Sequence, residues 1–76
     1  NRSESKKNEV RLTKREKDVL DLLVKGNTNK EMADAMFISE KTVKNHLTSI
    51  FRKLGVKDRT QAAVYALKHN IVVDDE

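Results

Sequence analysis

Between residues 40 and 54 the apolar positions fall at Val43, Leu47, Ile50, Phe51 and Leu54, the three- and four-residue spacing of a helix with one buried side. At about 100° per residue these five side chains share an arc roughly 100° wide, while Lys41, Asn45, Thr48 and Arg52 point the opposite way. The same period runs through residues 14–25, which turn Val19, Leu20, Leu22 and Leu23 inward. It recurs in residues 29–36 with Met32, Ala33 and Met36, and in residues 59–69 with Ala62, Ala63, Ala66 and Leu67. Phe37 and Ile38 follow the second segment and are expected to fill the core between it and the third. Ile71 and Val72 are expected to fold back on that core. The pattern predicts a compact all-α domain of four helices.

Start and stop residues agree with it. Thr13 precedes Glu16, Thr28 precedes Glu31 and Asp58 precedes Gln61, each at the capping-box spacing in which the first side chain accepts an orphan N–H and the third reaches back. Ser39 is a simpler N-cap for the third helix. Gly26 and Gly55 suit left-handed helix ends, and Asn70 could serve the fourth. The second and third segments, joined by a tight turn, have the layout of a helix-turn-helix DNA reader, with helix 3 as recognition helix. The plain alternative is an amphipathic surface helix with a solvated charged side.

Charge bears on that choice. The chain has 16 Lys+Arg against 12 Asp+Glu, a net +4. Residues 40–54 hold Lys41, Lys44, Arg52 and Lys53 against Glu40 alone, so the excess is concentrated on helix 3. Such a stripe favours approach to a phosphate backbone by releasing condensed counterions. Seventy-six residues make one small domain. No apolar run approaches the roughly 20 residues of a membrane span, which predicts a cytoplasmic protein with no membrane contact. With no cysteine there is no disulfide or thiolate site, and His46 and His69 lie on different helices, so neither a metal nor another cofactor is expected. A phosphate-binding Gly-rich loop and a nucleophile beside a histidine are both missing, so no enzyme is expected. Phe37, Phe51 and Tyr65 are the only aromatics, too few for an RNA stacking platform. The remaining competitor is a basic helical module that docks an acidic protein helix. Glu16, near the buried side of helix 1, reads as a cap and an ionic partner, with Arg59 the expected cation.

Residues 11–72 resemble, almost end to end, the DNA-binding domain of LuxR/NarL/GerE-type transcription factors. The resemblance rests on Leu12-Thr13-x-Arg15-Glu16, Gly26-x-x-Asn29-Lys30-Glu31-Met32-Ala33, Ser39-x-x-Thr42-Val43-Lys44-x-His46 and Leu54-x-Val56-x-Asp58-Arg59-x-x-Ala62. Within the family the chain is most similar to output domains of two-component response regulators of the DegU and LiaR/VraR kind. A ligand-sensing LuxR-type regulator is the alternative. The resemblance implies that Lys44, Asn45 and Thr48 read bases in the major groove. The helical angles agree for Asn45 and Thr48, whereas Lys44 sits near the edge of the apolar face. Backbone contacts would come from Asn29, Lys30, Lys41, Thr42, His46, Ser49, Arg52 and Lys53. Gln61, Val64, Tyr65 and Lys68 share the outer side of helix 4, where two domains of this family meet; the patch is small, so a homodimer weak in isolation and formed on paired half-sites of double-stranded DNA is expected. Residues 1–10 then read as a linker from an N-terminal receiver domain on which a sensor kinase acts, 11–73 as the DNA-binding domain and 74–76 as an acidic tail. RNA polymerase is the further partner implied.

Overall fold

The computed structural model describes residues 10–69 and 71–74. In chain order the elements are β1 (Val10–Thr13), α1 (Lys14–Val24), α2 (Asn29–Met36), α3 (Glu40–Leu54), α4 (Arg59–Lys68) and β2 (Ile71–Asp74). The four helices lie within a residue or two of the sequence boundaries. Asn70 and the last two residues of the acidic tail lie outside the described residues.

The caps form as the spacing predicts. In α1 the Glu16 N–H donates to Thr13 Oγ1 at 3.1 Å and the Thr13 N–H donates to Glu16 Oε1 at 3.0 Å. Thr28 and Glu31 repeat the exchange at the start of α2, and Ser39 Oγ accepts the Thr42 N–H at the start of α3. The fourth start is only half a capping box. Asp58 accepts the Gln61 N–H, but the Gln61 side chain takes the Lys57 N–H instead of that of Asp58.

At the other ends, Gly26 (φ +94°) and Gly55 (φ +73°) adopt the left-handed conformation that L side chains disfavour. The N–H of Gly26 donates to the Leu23 carbonyl and that of Asn27 to the Leu22 carbonyl, the paired bonds of a Schellman end. Helix α2 ends in the same geometry with Phe37 at the left-handed position, φ +59°. There the residue that returns to the core is the next one, Ile38, whose N–H reaches the Ala33 carbonyl. Phe37 is thereby turned outward and is 94% exposed. The expectation that Phe37 fills the core is therefore corrected: two neighbouring residues at such a turn cannot both point inward.

Leu12, Val19, Leu20, Leu23, Met32, Ala33, Val43, Leu47, Ile50, Leu54 and Ala62 form the core. Helix α3 packs on α1 and α2, and α4 packs on α1 and α3. The close approach of α4 rests on small residues, with Ala62 fully buried and Ala63 and Ala66 beside it. Leu67 follows Ala66 by about 100° of helix rotation. It leaves the contact and is 75% exposed, contrary to its expected core position.

One feature outside the helical pattern closes the domain. Strands β1 and β2 pair in parallel, with Val10 opposite Ile71 and Leu12 opposite Val73, so the two ends of the domain meet. Ile71 packs against the core in this way.

Candidate nucleic-acid interface

Helix α3 presents three sectors around its axis, each meeting something different. The inner sector is the buried row Val43, Leu47, Ile50 and Leu54, with Phe51 half-buried at its edge. Lys41, Asn45, Thr48 and Arg52 are exposed on the outer sector, and Lys44 is exposed beside them. No carboxylate lies within ion-pair distance of Lys41, Lys44 or Arg52 among the described residues. Thr48 Oγ1 donates back to the Lys44 carbonyl at 3.0 Å, which holds its rotamer and leaves the methyl and the oxygen lone pairs facing out. Lys44, Asn45 and Thr48 sit mid-helix on an element whose ends are capped by Ser39 and Gly55.

The third sector faces α1. There Ser49 Oγ donates to Glu16 Oε2 at 2.6 Å and Lys53 Nζ to Glu16 Oε1 at 2.8 Å. Glu16 is 5% exposed, the one buried charged residue among those described. Burial by itself raises its carboxyl pKa. The hydrogen bonds from Lys53, Ser49 and the Thr13 backbone, with the Lys53 charge, outweigh that and hold the group at about 2. Glu16 thus ties the first turn of α1 to the C-terminal half of α3.

The cation on Glu16 is Lys53 and not Arg59, as the sequence had suggested. Arg59 instead donates to Asn29 Oδ1 at 3.1 Å and to the Asn27 carbonyl at 2.9 Å, linking the start of α4 to the start of α2. Among the residues read as backbone contacts, Ser49 and Lys53 turn to Glu16, and Asn29 to Arg59. Thr42 bonds the Ser39 hydroxyl, His46 is half-buried, and exposed Lys30 lies 4.0 Å from Asp34. The sequence carried only part of the signal: at about 100° per residue Ser49 and Lys53 lie on one flank of helix 3, away from Lys41 and Arg52, which does not name their partner. On α4, Gln61, Val64 and Lys68 are exposed as expected, while Tyr65 is half-buried and stacks on His69 at a ring separation of 4.3 Å. Among the described residues no helix is long and apolar enough to cross a membrane.

A family model described as bacterial regulatory proteins of the luxR family matches residues 10–66. The chain belongs to the LuxR family. Over 57 residues this LuxR-family domain is 56% identical to the spore germination protein GerE of Bacillus subtilis, covering 75% of this chain and 77% of GerE. Over 61 residues it is 56% identical to the transcriptional regulatory protein LiaR of the same organism, covering 80% of this chain and 29% of LiaR. The transcriptional regulatory protein YhcZ is 58% identical over 60 residues, with 28% of its length covered, so the chain spans under a third of LiaR and YhcZ. The solved structure of GerE superposes with a TM-score of 0.70 at 42% identity, covering 75% of this chain and 85% of that one. The DNA-binding domain of the response regulator ComA, solved with the anti-activator RapF, superposes at 0.72 and 46% identity, covering 74% and 97%. The four-helix arrangement is that of the family.

Proposed function

We infer that this domain binds duplex DNA sequence-specifically, with the outer sector of α3 in the major groove, as the output domain of a transcriptional response regulator. The observation that carries the reading is the exposed row Lys44, Asn45 and Thr48, flanked by the exposed cations Lys41 and Arg52, on a helix locked by its core face and by Glu16. Lysine donates to guanine O6 and N7, asparagine bonds adenine bidentately, and threonine offers a hydroxyl and a methyl to thymine. Lys41, Arg52 and Lys30 supply charge to the phosphates, while Ser49 and Lys53 act through Glu16 by holding α3 at its angle. Membership in the luxR family and likeness to LiaR and to the ComA DNA-binding domain support the regulatory role. Catalysis has no place in it.

The exposed side of α4, with Val64 45% exposed between Gln61 and Lys68, supports a weak two-fold contact that forms when two domains occupy neighbouring half-sites. RNA polymerase, and a sensor kinase acting on a receiver domain of the whole regulator, complete the proposed set of partners. The test is selection of bound sites from random duplexes at near-physiological salt. A base-specific motif, repeated as a dyad, is the expected product; unselective recovery of all sequences would support a general polyanion or acidic-protein binder instead.

A further inference from the structure

A groove lies between α3 and the first turn of α4, and it holds two cations outside the reading face of α3. It is lined by Lys44 and Thr48 of α3, by Lys57, Asp58 and Arg59 around the start of α4, and by Asn29 at the start of α2. Buried Leu47 and half-buried Phe51 line its apolar part. Three cations therefore face a single carboxylate, and Asp58 Oδ1 already accepts the Gln61 N–H at 2.9 Å. Lys57 is exposed, with no carboxylate at ion-pair distance among the described residues. Its backbone N–H is held by Gln61 Oε1 at 3.0 Å, which fixes the turn that carries it.

Arg59 is pre-positioned as well. Its bonds to Asn29 Oδ1 and the Asn27 carbonyl use two of the five N–H donors of a guanidinium. Asn29 and Arg59 are also the first residues of α2 and α4, so the positive ends of two helices meet at this groove. An anion entering it meets fixed charge from three elements. Because Lys44 and Thr48 belong to the proposed base-reading row, that anion is a phosphodiester of the duplex being read.

We propose that Lys57 and Arg59, together with Lys44, clamp one backbone phosphate of the bound duplex at the α3–α4 junction. The clamp rests on the DNA-binding reading of α3 and extends its footprint past the recognition helix. It adds affinity and helps to orient α3 on the duplex, and carries no sequence information of its own.

The test uses the whole chain and its selected duplex, with Lys57→Gln, whose side chain is exposed and has no hydrogen-bond or ion-pair partner among the described residues. Affinity is measured from about 50 to 200 mM salt, where losing one phosphate contact lowers the slope of log K on log salt by about 0.9 and shrinks the affinity loss roughly threefold. Base preference is expected to stay unchanged. A second arm neutralises single phosphates as methylphosphonates. One position is expected to weaken wild-type binding clearly more than that of Lys57→Gln, in which Arg59 and Lys44 remain. An unchanged salt slope, with every phosphate position weakening wild type and Lys57→Gln equally, overturns the clamp and leaves DNA binding standing. A wild-type chain that binds no duplex overturns both.

Discussion

Replacing Glu16 by Gln removes one buried charge while keeping side-chain shape and the cap, since glutamine also serves three residues after a threonine N-cap. The folded carboxyl sits at about 2 against an ordinary value of 4.5. That displacement corresponds to about 3 kcal/mol of stability at full value. Lys53 remains 39% exposed, so solvent screens the pair, and about 1–2 kcal/mol is the expected loss at pH 7. Because the folded value lies below the unfolded one, this stabilisation is complete above about pH 4.5 and is lost as pH falls toward 2. The assay is urea unfolding of wild type and Glu16→Gln at pH 7, 4 and 2.5. The gap should be full at pH 7 and shrink steadily toward the acid end. In a domain of this size each kcal/mol moves the melting temperature by about 4–8 °C, so heat unfolding serves equally well. A gap of constant size across the series would mean that packing, and not the charge held by Ser49 and Lys53, makes the difference.

The same cluster separates the roles of two neighbouring cations. Arg52→Ala should make the salt dependence of DNA binding shallower by about 0.9, and Lys53→Ala should instead lower stability at an unchanged slope, as fluorescence titration in a salt series would reveal. Phe37→Gly should raise stability by about 0.5–1 kcal/mol, because the left-handed backbone strains a phenylalanine that is almost wholly exposed. A fall in the urea midpoint would show that the ring contributes more than its conformation loses. Val64→Glu should abolish cooperative occupancy of paired half-sites in a gel-shift titration and leave single half-site affinity and helical circular dichroism unchanged; surviving cooperativity would move the dimer contact off α4.

What could be read from the chain followed local rules. Four N-cap bonds, the left-handed glycines and the span of α3 are set by residues within four positions of one another, so spacing alone locates them. The misplaced side chains required knowledge of the third dimension. Phe37 and Ile38 are equally apolar, and only the handedness of the α2 end decides which one turns inward. Leu67 stands beside alanines that pack closely because they are small, an effect that a hydrophobic count does not register. Glu16 chose between Lys53 and Arg59 according to the crossing of α1 and α3, and Arg59 was held elsewhere by Asn29. The β1–β2 pairing joins four-residue segments from opposite ends of the domain, each too short to show an alternating pattern. For the candidate site, helical angles separated the outer row from the core. They did not reveal that the flank bearing Ser49 and Lys53 is occupied by Glu16.

The central claim is that α3 reads bases through an outward row held in place from behind. Asn45→Ala tests it most directly, because Asn45 is exposed, lies in the middle of that row and has no side-chain hydrogen-bond partner among the described residues. Binding of wild type and variant is compared on the selected site, on that site with each base pair changed, and on random duplex at one salt concentration. The account predicts a loss of about 1–3 kcal/mol on the selected site, relaxed preference at a single base pair, and nearly unchanged affinity for random DNA. Equal losses on selected and random duplexes would contradict it.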